Sequence, residues 1–226
     1  MSERLRQEFN QWAQDGPAAA LELHHRGFFE PVIHRMEIQP AERILEIGCG
    51  EGWALRMLSP LVPQGILVGL DFSDDMVRNA RAQSTAYDNL LFVWSSAEQI
   101  PWQENFFTTI FSLEAFYYIE DPERALREIY RVLVPGGRLW IVNHLCMENE
   151  WSLRWLPWLS VPARLLRADE YVALLERCGF AASTPEMIPG QPPDGGAAPP
   201  PFRDAAEWRR CYERGALLLS ARKPAT

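Results

Sequence analysis

The chain reads as an α/β protein whose mostly parallel sheet carries helices on both faces. Three features predict this. Apolar runs recur through the middle of the chain: RILEIG (43–48), GILVGLD (65–71), LLFVWSS (90–96), FTTIFSL (107–113) and GRLWIVN (137–143). Segments of helical periodicity at 53–59, 74–84 and 122–133 separate most of them. The runs are nearly continuous in apolar residues rather than alternating, which is how strands covered on both faces read.

The elements follow in order. Residues 3–14 predict a short amphipathic helix with Leu5, Phe9 and Trp12 as apolar positions. Residues 17–36 predict a second, with Leu21, Phe28, Phe29 and Ile33, and Pro40 closes that region. Ser73 is placed to cap the helix at 74–84. Asp121 followed by Pro122 makes a cap-plus-proline start for 122–133. Past residue 143 the pattern loosens. Trp151, Trp155 and Trp158 stand at i, i+4 and i+7, a helical spacing that predicts a shared face. Residues 168–178 predict a helix ending at Gly179, and 180–188 a strand. Residues 189–201 predict a mobile Pro/Gly-rich loop, 204–213 a helix and 216–222 a closing strand.

Composition narrows the function classes. Hydrophobic residues are 47% and charged residues 23% of the 226, enough apolar material for one domain with a sizeable core. The formal net charge is -8, and Arg209-Arg210 is the densest basic pair, which argues against nucleic acid and for a small molecule. No run of about 18 apolar residues exists to span a membrane. The charged start MSERLRQEFNQW lacks the apolar core of a signal peptide, so a cytoplasmic protein is expected. Cys49, Cys146, Cys178 and Cys211 form no CxxC pair and read as reduced thiols. His24, His25, His34 and His144 have no metal-binding spacing, so no metal is expected and they read as surface or core residues.

The stretch ILEIGCGEGW (44–53) is the most informative. Three alternate glycines after a buried run, with a helix following, make a loop that lets a ligand approach the backbone closely. Alone this also describes an ordinary strand-to-helix turn. Asp71 sharpens it, because it ends the next run about 20 residues on, where an acid can hold both ribose hydroxyls. The pair fits a dinucleotide or a nucleoside such as S-adenosylmethionine. The spacing here is GxGxG rather than the GxGxxG of dehydrogenases, which leaves an NAD-dependent oxidoreductase as the weaker reading.

At this point the chain resembles the class I S-adenosylmethionine-dependent methyltransferases. ILEIGCGEGW resembles their first motif, VGLDFSDDMV their second, SSAEQIPW the region after the third strand, and EIYRVLVPGGRLWIVN the last. The likeness covers about 40–145 and is similar to the small-molecule branch that includes quinone-biosynthesis enzymes. It implies a Rossmann-like, seven-stranded, mostly parallel sheet with the last strand antiparallel, and S-adenosyl-L-methionine as cofactor. It implies that Glu46 sits near the methionine end, that Gly48, Cys49 and Gly50 pass under the cofactor, and that Asp71 holds the ribose. Phe72 would pack on the adenine with Met76 close by, Ser96, Ala97 and Glu98 would border the adenine, and Leu113 would line the methionine side. Ser96 stands where the family commonly has an aspartate, and a neutral acceptor is about half as strong as a charged one. Phe107-Thr108 stands where the family has Phe-Asp.

The expected division is a single domain over 1–226. It comprises a helical cap (1–40), a cofactor-binding core (41–143), an aromatic lid (144–168), and C-terminal strands with the Pro/Gly-rich loop (169–226). Chemistry is expected beyond the fourth and fifth strands. His144 is the candidate base by type, with Tyr117 the other catalytic candidate. Trp12, Glu114, Tyr118, Trp151 and Trp155 are expected to line the acceptor pocket. The expected function is methyl transfer to a small-molecule acceptor, mainly by positioning and desolvation. The rival is a catalytically inactive protein that binds S-adenosylmethionine and regulates or scaffolds a partner.

Overall fold

A computed structural model describes residues 3–15, 17–182, 184–192 and 198–225. The side chain of Leu21 and residues 193–197 of the Pro/Gly-rich stretch lie outside the described residues.

Five parallel strands build the centre of the sheet. They are β1 (Arg43–Ile47), β2 (Ile66–Asp71), β3 (Leu90–Trp94), β4 (Phe107–Leu113) and β5 (Leu133–Asn143). β8 (Ala216–Arg222) adds antiparallel to β5. β6 (Ala181–Ala182) and β7 (Glu186–Ile188) pair antiparallel with the far side of β8. The spatial order is β3-β2-β1-β4-β5-β8-β6, with β7 beside β6 on β8. The single strand read over 180–188 is thus two short strands, so the sheet has eight strands among the described residues rather than the expected seven. Pro185 lies in the break, where it has no N–H to give to the ladder.

Helices cover both faces because successive strand residues point to opposite sides. On β1, Leu45 and Ile47 join the core under α5 (Pro122–Val132) and α6 (Ala168–Arg177), with Leu126, Ile129 and Leu174. Ile44 joins the opposite core, with Phe28 and Phe29 of α2 (Pro17–Met36), Leu55 of α3 (Trp53–Leu58) and Val77 of α4 (Asp74–Gln83). Both expected caps form. Ser73 Oγ accepts from the Met76 N–H at 3.1 Å, and Asp121 accepts from the Arg124 N–H at 3.0 Å with Pro122 at the first helical position.

The N-terminal helix is pinned rather than loosely laid on. Along α1 (Glu3–Asp15), Arg6 pairs with Asp74 at 2.7 Å, Asn10 donates to Asp74 at 3.0 Å and Gln14 donates to Asp75 at 2.8 Å. Ser73 Oγ also donates to Asn10 Oδ1 at 2.6 Å, so the α4 cap and α1 share one side chain. At the other end of the cap, Arg138 of β5 holds the Met36 carbonyl and the Glu42 carboxylate.

The tryptophan segment departs from its spacing. Residues Ser152–Trp158 form a 3₁₀ turn interrupted by Pro157, not an α-helix. At three residues per turn, Trp155 and Trp158 share a face while Trp151 is rotated about 120° away. Trp151 instead lies under the Arg154 and Arg210 guanidinium groups, at 4.7 and 5.6 Å. Asn149 fastens this segment to α7 (Ala205–Arg214): its Nδ2 donates to the Cys211 and Gly215 carbonyls, both at 2.8 Å. Among the described residues no helix is long and apolar enough to cross a membrane.

Gly52 carries a specific packing burden. Its φ is +76°, and a Cβ there would meet the Phe92 ring of β3 at 2.5 Å. The residue therefore serves the approach of β3 to the loop. Gly52→Ala is expected to destabilise the fold by about 2 kcal/mol, lowering Tm by about 4–8 °C in thermal unfolding.

Candidate cofactor and acceptor cavity

The strand order reverses between β1 and β4, and at such a switch point the loops leaving the carboxyl ends of the strands part to leave a crevice. A cavity of about 430 Å³ opens there. Its floor is the first loop. Gly48 and Cys49 N–H both donate to the Leu70 carbonyl, at 2.8 and 3.1 Å, which folds the loop back onto β2. Asp71 secures it from the other side: Oδ2 accepts from the Gly50 N–H at 2.8 Å and Oδ1 from the Ser73 N–H at 2.9 Å. Gly50 lines the cavity at φ +50°, and a Cβ there would meet nothing within 4 Å, so the space above it is free for a ligand.

Three carboxyls give the cavity its electrostatics. Glu46 is 2% exposed, and its Oε2 has no hydrogen-bond partner among the described residues. Burial, with Asp71 nearby, pushes its carboxyl well above the usual range, and Arg56 offsets this only in part. Asp71 is raised by burial too, against the pull of the N–H groups of Ser73, Gly50 and Phe72. Glu114 follows β4 with φ +54°, a strained conformation for a residue with a side chain. That backbone turns its carboxylate toward the end of β5, where it accepts from the His144 N–H, and from the Tyr117 hydroxyl at 3.1 Å. Burial raises it to about 7. No Lys or Arg is among the residues lining the cavity.

Most of the residues singled out from the sequence meet at this cavity. Glu46, Gly48, Cys49, Gly50, Asp71, Phe72, Met76, Ala97 and Leu113 line one part of it. Trp12, Glu114, Tyr117, Tyr118, His144 and Trp155 line the rest. Three do not. Ser96 turns its hydroxyl to the Glu98 N–H at 3.1 Å, and its neighbour Ser95 lines the cavity instead. Glu98 accepts from the Asp121 N–H at 2.9 Å and so braces the start of α5. Trp151 faces the two arginines, for the 3₁₀ reason given above.

The ring of His144 is placed for packing. It stacks on Phe28 at 4.1 Å, and its Nε2 lies 3.1 Å from Cys211 Sγ. Burial lowers it to about 3, which makes it a weak proton acceptor at neutral pH. Tyr117 is pushed well above its ordinary value, so it stays protonated and donates to Glu114. Sequence reading missed His24, His25, Trp208 and Tyr212 as cavity residues. They come from α2 and α7, far apart in the chain, and no local spacing links them. Among the described residues no cluster of His, Cys, Asp or Glu is suited to hold a metal.

Comparison with known proteins agrees with this geometry. Residues 45–141 match the family described as "Methyltransferase domain". The demethylmenaquinone methyltransferase of Listeria monocytogenes is 33% identical over 107 residues, 46% of this chain and 45% of that protein. An O-methyltransferase of Pyrenophora dematioidea is 28% identical over 173 residues, 74% of this chain and 64% of that one. The matched segments thus span about half to two thirds of these relatives. A chain from the complex between the Haloferax volcanii Trm112 methyltransferase activator and a methyltransferase superposes with a TM-score of 0.86 at 29% identity. The match covers 96% of this chain and 98% of that one.

Over residues 45–141 the chain is similar to the methyltransferases, and it shares the Rossmann-like fold of the S-adenosylmethionine-dependent class. It resembles the quinone-biosynthesis methyltransferases, and these likenesses support S-adenosylmethionine as its cofactor. The cavity suits that molecule. An unpaired buried carboxylate oxygen on Glu46 and the open space above Gly50 are complementary to a ligand bearing an ammonium group and a flat nucleoside.

Glu114 makes folding stability depend on pH. Its folded value lies above its unfolded one, so its contribution is fully present below about 4.5 and is lost as pH rises through about 7. The loss amounts to about 2 kcal/mol once solvent screening at the cavity wall is allowed for. Between pH 5 and 8 the Tm of the ligand-free protein is expected to fall more steeply than that of Glu114→Gln.

Proposed function

We propose that the protein methylates an uncharged hydroxylated aromatic molecule, with Glu114 as the proton acceptor. The observation that carries this is Glu114 itself, a strained, hydrogen-bonded carboxyl tuned to about 7 in the wall of an aromatic cavity. S-adenosylmethionine, when bound, supplies an electrophilic methyl group on a positive sulfur. The protein's residues do the rest. Glu46 offsets the cofactor's ammonium, and Asp71 holds the ribose while fixing the loop beneath it. Trp155 and Trp158 on one wall and Phe9 and Trp12 on another shield the site from water. Glu114 would take the acceptor's hydroxyl proton, readying that oxygen for the methyl group the bound cofactor would supply.

The charge pattern supports an uncharged acceptor. Among the described residues lining the cavity are Glu46, Glu51, Asp71 and Glu114 and no Lys or Arg, so the lining offers no basic side chain to a phosphate or carboxylate group. Nucleic acid is disfavoured for the same reason. We assign α1 and α2 to a cap over residues 41–143, and residues 144–168 to a lid. The four free, buried cysteines suit the reducing cytoplasm.

A second reading comes from the Haloferax volcanii likeness, in which the methyltransferase is solved with an activator protein. β3 ends the sheet here and leaves Leu91 and Trp94 exposed, a surface suited to a partner of that kind. A macromolecular acceptor would then be delivered by the partner. Turnover of free naphthols by the isolated chain favours the first reading.

Two outcomes are expected. kcat/KM for a naphthol rises with pH through an apparent pKa near 7, and Glu114→Gln removes that limb while lowering kcat roughly 10²–10⁴-fold. Deleting residues 1–14 lowers turnover more than it lowers Tm. Cofactor binding without transfer to any phenol, amine or thiol would instead support a regulatory protein.

A further inference from the structure

The acceptor end of the cavity holds three imidazoles, and two of them are committed. His24 Nδ1 lies 3.3 Å from the Tyr212 hydroxyl. His144 Nε2 lies 3.1 Å from Cys211 Sγ, and its ring is stacked on Phe28. His25 lines the same cavity and has no hydrogen bond to any described residue. A neutral imidazole offers one donor and one acceptor, and on half-buried His25 both are open to a bound molecule.

The position relative to the chemistry follows from the contacts. Phe28 stacks on Tyr212 at 4.6 Å and on His144 at 4.1 Å. The His144 backbone meets Glu114, whose Tyr117 partner lies 4.5 Å from Tyr118, which in turn meets Phe9 and then Phe72 beside Asp71. Glu114 is thus linked by contacts both to the imidazoles and to the cofactor loop. An acceptor with its reacting hydroxyl at Glu114 shares the cavity with residues of α2 and α7. Burial and the neighbouring imidazoles hold His25 at about 3, so it meets an acceptor as a neutral group and offers no positive charge to an anion.

We propose that His25 is a specificity-determining residue that hydrogen-bonds a second, uncharged polar substituent of the acceptor and so orients the ring for methylation at Glu114. This rests on the acceptor reading given above. His25 lies outside residues 45–141, as do Trp155, Trp158, Trp208 and Tyr212. Substrate choice is thus assigned to the cap, the lid and α7, while the matched segment keeps the cofactor and the base.

The test compares 1,4-dihydroxynaphthalene with 1-naphthol, under argon, in the full-length protein. His25→Phe is expected to reduce the preference for the dihydroxy compound roughly tenfold, through KM rather than kcat. His25→Asn, which keeps a donor and an acceptor, is expected to restore at least part of that preference. S-adenosylhomocysteine affinity, read by calorimetry, reports that each variant is folded. An unchanged preference in a folded variant that still turns over overturns the assignment alone. Wild-type protein that binds S-adenosylhomocysteine yet methylates neither naphthol overturns the acceptor reading, and the assignment with it.

Discussion

Buried carboxyl groups without a counter-charge in the cavity lining are the constraint on which the rest depends. Glu46, Asp71 and Glu114 face one cavity, and no Lys or Arg shares its lining. A carboxylate withdrawn from water takes up a proton unless donors or a cation compensate it. The chain meets this differently at each position. Asp71 receives two backbone N–H groups, Glu114 receives two backbone N–H groups and a hydroxyl, and Glu46 keeps an unpaired oxygen. In the proposed reading the cofactor's ammonium group compensates Glu46. Binding a positively charged molecule thus relieves a cost built into the empty fold, which is a physical source of affinity and of charge selectivity.

The loop and the cap are coupled through a single turn. Asp71 holds Gly50 on one side and the Ser73 N–H on the other, and the Ser73 hydroxyl reaches Asn10 of α1. The cofactor loop, the start of α4 and the helix covering the cavity are therefore three bonds apart. Phe9, carried by that helix, meets both Phe72 and Tyr118. Each of these hydrogen bonds contributes only about 1 kcal/mol net. Their role is to set one orientation of the cap over the floor.

Local physics made much of the fold readable. Glycine spacing, an acid at a strand end, Ser and Asp caps and the unbroken apolar runs each act within a few residues. The central strands, the two capped helices and the floor of the cavity follow from them. The tryptophans did not follow, because spacing alone cannot tell a 3₁₀ turn from an α-helix, and Trp151 fell on the wrong side. Nor did the importance of Glu114, since its left-handed backbone has no signature in a run such as SLEAFYY. His144 was chosen by residue type, whereas its stacking on Phe28 and its contact with Cys211 are tertiary. His25 and Tyr212 share a cavity across nearly the whole length of the chain.

Asn149 ties the lid to α7 through two carbonyls at once. The wall bearing Trp155 and Trp158 and the wall bearing Trp208 and Tyr212 are joined by that amide. They are tied into one continuous wall. Under the proposed reading, any opening that admitted an acceptor would have to move both walls together or break the two bonds of that one amide.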